Sequence, residues 1–322
     1  MSEHSALDRL QHLGPLDPVI ERICVAYGLG KLLHFSVIEV GYEDCNTIIE
    51  TESGKFVAKI FSKGRSTEDI SRYSQIMQNV VAAGVNHPEM CMTKADELLY
   101  IDILTGLSMV LMRFIEGKTF LELDRAPNAE ERALVIEQAV KVGKVEFHPV
   151  ALFDPWAIPN IEAMFEKVRR FIQPGDLELV TEVINRFWDI DLEQLPHCFV
   201  HGDFTKANVL LGNDGKIYIL DFSVSNWYPR IQELAVIAAN LLYDEKVCTS
   251  LGERCEVLTS EYGRLNPLTE EEIRCLPIYA LAGVAMEFMG AHLEKFIKGN
   301  DSKETEYWLE LGRNGLRREL MK

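Results

Sequence analysis

The residues best suited to chemistry in this chain of 322 amino acids lie in one span, His201-Gly202-Asp203-Phe204-Thr205-Lys206-Ala207-Asn208, with Asp221-Phe222 a short way downstream. Asp203 is a carboxylate that can accept a proton from a hydroxyl. Asn208 and Asp221 offer hard oxygen donors of the kind magnesium prefers, leaving most of its shell to water and phosphate. Phosphoryl transfer asks little more of a protein than positioning, charge neutralisation by metal and a group to take the hydroxyl proton. The spacing H-x-D-x-x-x-x-N followed by D-F is that of kinase catalytic loops, with Gly202 where protein kinases carry Arg. Asp203 is therefore read as the base and Asn208 with Asp221 as the metal pair. His201 is counted with the catalytic residues, mainly as organiser of the loop. His, Asp and Asn in a loop also make ordinary turns and caps. Here a strand precedes the loop at 198–200 and a hairpin turned by Asn213-Asp214-Gly215 follows it, which would return Asp221 beside Asp203 and Asn208.

Three further segments could hold a nucleotide. Lys59 in Val57-Ala58-Lys59-Ile60 resembles the strand lysine that grips the α- and β-phosphates. Backbone N–H groups of the turn ending at Asn46 (Gly41-Tyr42-Glu43-Asp44-Cys45-Asn46) could contact phosphates. Leu111-Met112-Arg113-Phe114-Ile115-Glu116-Gly117 is placed to give adenine backbone hydrogen bonds, with Met112 and Phe114 as the named positions. A helix acid should pair with Lys59, and Glu68 is preferred over Asp69; either also suits the helix dipole.

These groups need a frame. An amphipathic helix over 18–27 stops at Gly28. Strands are predicted at 35–40, 46–51 and 55–61, then a helix from Ser66 or Thr67 to about Ala83, then strands at 98–101 and 108–114. Five strands with one main helix make a first lobe over 1–116, and Gly117 ends it. The remainder, 117–322, reads as a larger helical lobe, with helices at 130–147, 161–171, 233–242, 273–296 and after Asp301. Its one β excursion is the hairpin between Phe199 and Phe222. The class is α+β.

Composition limits the options. An apolar fraction of 47% and a charged fraction of 26% describe a globular chain. A net charge of -17 argues against general nucleic-acid binding, since phosphate neutralisation needs concentrated Lys and Arg. The acid excess is compatible with a cationic small substrate, although most such excess is solubilising surface. Seven scattered cysteines, Cys248 among them, form no C-x-x-C pair and read as reduced residues of a cytoplasmic protein. The start lacks a signal-peptide stretch, and no apolar run is read as membrane-spanning.

With these residues assembled, the chain resembles the aminoglycoside phosphotransferase and choline kinase superfamily, through His201-Gly202-Asp203, Asn208, Asp221-Phe222 and Lys59. The resemblance implies a bilobal protein-kinase-like fold, ATP and Mg2+ as cofactors, and a small hydroxylated substrate handled by a monomer or homodimer. Looser likeness to the homoserine kinase-like branch comes from Tyr27-Gly28-Leu29-Gly30, His87-Pro88 and Pro267-Leu268-Thr269. The chain departs from the family in having Asp44-Cys45-Asn46 where Asn-Thr-Asn is common, and Glu233 where an Asp usually precedes Leu-Ala. An amino alcohol such as homoserine or choline is the expected acceptor. An aminoglycoside-type kinase and a nucleotide-binding protein without turnover stay open. Trp156, Trp227, Tyr228 and Glu233 are candidates for specificity on position alone.

Overall fold

The computed structural model describes residues 6–247 and 249–321, so Cys248, the first five residues and Lys322 lie outside the description. The chain divides into two compact units, one running through Gln75 and resuming over His87–Glu116, the other comprising Ile76–Asn86 and everything from Gly117 onward.

The first unit contains α1 (Ala6–Arg9), α2 (Asp17–Tyr27), β1 (Leu32–Ile38), β2 (Cys45–Thr51), β3 (Gly54–Ile60), the start of α3 (Thr67–Ala82), β4 (Met90–Cys91), β5 (Leu99–Ile101) and β6 (Ser108–Arg113). Its antiparallel sheet runs β1-β2-β3-β6-β4, with β5 also on β6. The sixth strand, absent from the predicted five, is β4, whose two residues are too few to show alternation. Period-two alternation in β2 buries Cys45, Thr47, Ile49 and Thr51. Against the sheet residues Ile49, Phe56, Ala58 and Ile60 pack Val19, Ile20 and Ile23 of α2. Gly28, at φ 70°, then ends α2 in a left-handed conformation that suits glycine. Strand β3 is interior, and its register sets Lys59 opposite Asn46 on β2 and Val110 on β6.

The second unit contains β7 (Gly117–Thr119), α4 (Phe120–Leu123), α5 (Ala129–Val142), α6 (Ile161–Val168), α7 (Pro174–Phe187), β8 (His197–Val200), β9 (Val209–Gly212), β10 (Ile217–Ile219), β11 (Asn226–Pro229), α8 (Ile231–Val236), α9 (Leu251–Leu265), α10 (Glu270–His292) and α11 (Lys303–Leu320). The single expected β excursion is in fact divided between two small sheets. Strands β10, β9 and β7 form one, and β11 pairs with β8 in the other. Gly117 opens β7 rather than closing the preceding part. It lies so close to β9 that a Cβ there would run into the Leu211 carbonyl, which explains the glycine. Helices α7 and α9 were not expected from the sequence. Yet α9 carries its buried Leu251, Cys255, Leu258 and Tyr262 at helical spacing.

Helix α10 is the core of this unit. A Thr269–Glu272 capping box starts it. Glu272 also forms a bidentate pair with Arg230 at 2.8 and 2.6 Å, fastening the end of β11 to the helix. The segment Glu270–Ile297 spans 28 residues and is apolar enough by length and composition to cross a membrane, which corrects the expectation that no run qualifies. It is largely buried by α6, α7, α8, α9 and α11, as a core helix of a folded domain must be.

Candidate active site

Strand β8 ends at Val200 and delivers His201 into the interior. The imidazole is fully buried, with Nε2 2.9 Å from the Leu220 carbonyl and Nδ1 accepting the Asp203 N–H at 3.0 Å. Those partners assign the proton to Nε2, because a carbonyl can only accept. Burial pushes the His201 pKa down to about 4, so the ring is neutral. Phe204 and Phe222 close on it edge-on, with centroids 5.3 and 4.5 Å away. Both ring nitrogens are thus committed to holding the loop.

Gly202 follows at φ 88°, a left-handed turn that glycine enters without strain. The turn aims Asp203 back toward Asn208, whose Nδ2 donates to Asp203 Oδ2 at 2.6 Å and to the Asp203 carbonyl at 3.2 Å. Anchored through its nitrogen, the amide leaves Oδ1 as the atom able to ligate a cation. Leu220 completes the closure. Its N–H donates to the Asn208 carbonyl at 2.8 Å while its own carbonyl takes the His201 Nε2–H. The next residue, Asp221, is therefore locked beside the loop at the end of β10. It adopts φ 57°, unusual for a non-glycine residue. Its Oδ1 accepts from the Ser223 hydroxyl at 2.6 Å. The structure brings Asp203, Asn208 and Asp221 together as the hairpin predicted.

Two supports were not found from the sequence. Glu233 of α8 is 3% exposed and accepts the N–H groups of His201 and Gly202. It braces the loop from behind, which corrects its place among the specificity candidates. Burial raises the Glu233 pKa to about 8. Beyond α8 the helix widens into a π-turn over Ile237–Leu241. There Asn240 takes the Lys206 N–H at 2.9 Å and donates to Glu287 Oε1 at 2.7 Å. The buried carboxyl of Asp154, with Oδ1 accepting from Trp156 N–H at 2.9 Å, lies close enough to act on Asp203. Desolvation first, then Asp154 and Asp221, raise the Asp203 pKa to about 8. No local pattern marks Asp154 in the sequence.

The remaining specificity candidates are packing residues in part. The Trp227 ring lies 4.6 Å from His148, Tyr228 OH accepts from Asn226, and the Trp156 ring fills the space that glycine leaves at Gly290.

In the first unit, Lys59 is 3% exposed and its Nζ lies 3.2 Å from Asp44 Oδ2. Glu68 is exposed and makes no ion pair among the described residues, so the preferred helix partner is replaced by Asp44. Asn46 stands directly across the ladder from Lys59. Met112 lies inside the sheet between β3 and β4, and the Phe114 N–H is given to the Lys55 carbonyl at 3.1 Å. The Phe114 N–H is therefore not available to adenine, and the chain leaves ladder pairing only at Ile115 and Glu116.

Among the described residues no three His, Cys, Asp or Glu side chains form a preassembled metal cluster. An amide oxygen and a carboxylate suit an ion that arrives already shared with phosphate and water.

A model of the family described as "Phosphotransferase enzyme family" matches residues 34–268. Homoserine kinase of Rhodopseudomonas palustris (strain BisB5) is 25% identical over 276 residues, covering 84% of this chain and 82% of that protein. A choline kinase of Streptococcus pneumoniae shares the fold at a TM-score of 0.63 with 15% identity, covering 94% of this chain and 98% of that one. A microcompartment-associated aminopropanol kinase does so at 0.66 with 10% identity, covering 93% and 95%.

Proposed function

Because the chain belongs to the phosphotransferase enzyme family and is a small-molecule kinase, we propose that it transfers the γ-phosphate of Mg-ATP to the hydroxyl of an amino alcohol. The observation that carries this reading is the Leu220 tie. By fixing Asp221 beside Asn208 and Asp203, it sets a base and two oxygen donors at one place.

Asp203 accepts the acceptor's hydroxyl proton, with Asn208 holding one carboxylate oxygen so that the group faces a defined direction. Asn208 Oδ1 and Asp221 would hold magnesium, whose charge would neutralise that of the phosphates. Burial and the neighbouring carboxylates Asp154 and Asp221 raise the Asp203 pKa, and a magnesium ion held there would favour its ionised form. Lys59 engages the nucleotide phosphates, with Asn46 across the ladder beside it. The preference for an amine-bearing acceptor rests on Asp154. Its buried carboxyl beside Asp203 favours an ammonium group close to the hydroxyl that reacts. Homoserine kinase and aminopropanol kinase among the relatives and fold neighbours point to the same class.

The test is ATP consumption, with product identified by mass, over a panel of homoserine, choline, ethanolamine, aminopropanol, neutral sugars and aminoglycosides. Turnover confined to amino alcohols is expected. Turnover only with sugars would refute the role given to Asp154. Nucleotide binding with no transfer to any acceptor would make this a binding protein and refute the proposal.

A further inference from the structure

The side chain that holds Lys59 comes from an unexpected place. Asp44 lies in the bend immediately before β2, two residues before Asn46. Asn46 is the direct cross-strand partner of Lys59, which makes Asp44 the diagonal neighbour, within reach of a long side chain. The Asp44 carboxylate is buried, with one ion-pair partner and two hydrogen-bond donors. Lys59 Nζ lies 3.2 Å from Oδ2, while Arg65 Nε at 2.8 Å and the Ser62 N–H at 3.2 Å reach Oδ1. Arg65 continues to Glu43 Oε2 at 2.6 Å, clamping two residues of the turn at once. From α3, the Tyr73 ring lies 5.7 Å from Lys59 Nζ, while Glu68 is exposed to solvent.

We propose that Asp44, braced by Arg65, is the positioning residue for the phosphate lysine Lys59, taking the place of a helix acid; this rests on the reading of Lys59 as that lysine. The Lys–Glu pair of protein kinases depends on where a helix sits, and regulation acts by moving it. Here the acid belongs to the turn beside the lysine's own sheet. Lys59 is set by the sheet and turn, with no acid of α3 required. The bridge also accounts for the acid at the first position of Asp44-Cys45-Asn46. An amide there would leave the buried Lys59 ammonium without this counter-charge.

The experiment is a double-mutant cycle on the full chain, read as the Kd for a fluorescent ATP analogue with Mg2+, and as KM for Mg-ATP against KM for the acceptor. Asp44→Asn should weaken nucleotide binding about ten-fold, the size of coupling that contacting residues show, with the acceptor KM unchanged. In a Lys59→Met background the same substitution should cost nothing further. Equal loss in both backgrounds would mean that Asp44 acts on the fold and not on Lys59, overturning the proposal, as would wild-type affinity in Asp44→Asn. Should Asp44→Asn not fold, Arg65→Met is read in the same cycle. A loss only when Lys59 is present supports the brace, and a loss independent of Lys59 overturns it. Glu68→Gln should match wild type, and weakened nucleotide binding there would return the role to the helix. If Lys59→Met alone binds nucleotide normally, the phosphate-lysine reading fails first, and this inference falls with it.

Discussion

Around Lys59 the charges come in compensating sets, with Arg65 and Lys59 meeting Asp44 and Glu43 within one turn and one ladder. Around Asp203 the charged neighbours that set its titration are themselves carboxylates, Asp154 and Asp221. The supports differ in the same way. Ion pairs fasten the first cluster, whereas the catalytic loop hangs on a neutral imidazole, a buried glutamate and backbone carbonyls. A compensated cluster keeps its geometry before any ligand arrives. A cluster of like charges stores an electrostatic demand that the proposed metal and cationic acceptor would satisfy, and that demand is useful only if the loop cannot relax away from it.

The contrast can be broken most forcefully at the base. Asp203→Asn should lower kcat by about a thousand-fold while nucleotide affinity holds, measured by steady-state turnover and ATP-analogue titration. Asp221→Ala comes next. The magnesium concentration for half-maximal activity should rise by more than about a hundred-fold, beyond the roughly 10- to 100-fold that losing a hydrogen-bond partner of a metal ligand costs. Unaltered magnesium dependence would remove Asp221 from the metal pair. Glu233→Ala leaves the buried His201 and Gly202 N–H groups without their acceptor and should cost about 3 kcal/mol in denaturant unfolding.

The last effect is a pH dependence from His201. Its pKa in the fold is about 4 against an ordinary 6.5, so below pH 6.5 the unfolded chain takes up the proton first. The His201 contribution to stability is then full above pH 6.5. It falls by up to about 1.4 kcal/mol per pH unit toward pH 4. Unfolding free energies across that range should show this slope in wild type and lose it in His201→Gln.

Much of the active loop was legible because its chemistry is local in sequence. His201, Asp203 and Asn208 share one loop, and a tight hairpin brings Asp221 back to it. Helix boundaries at Tyr27 and Ala82 were legible from apolar period and glycine stops. The small sheets of the second unit were less so. Strands β7 and β11 are short and draw their pairing from β9 and β8, partners that local alternation does not identify. The Phe114 N–H is taken up by the Lys55 carbonyl, which the pattern could not foretell because a hinge motif specifies where the chain crosses over. It does not specify which N–H the sheet has already consumed.

Sequence alone determined the reaction, since the residue types and spacing of the loop need only a hairpin to converge. It also determined the strand that carries Lys59. Tertiary structure decided who supports these groups. Glu233 could be a surface acid or a loop brace, and only the packing of α8 beneath His201 makes it the latter. Asp44 could be a turn residue or the counter-ion of Lys59, and only the β2–β3 register puts it diagonally across from that lysine. Asp154 gains its influence from a loop that sequence leaves unplaced. Reactive groups are written as short patterns because they act within one loop, whereas their supports are distant in the chain and become neighbours only when the core closes.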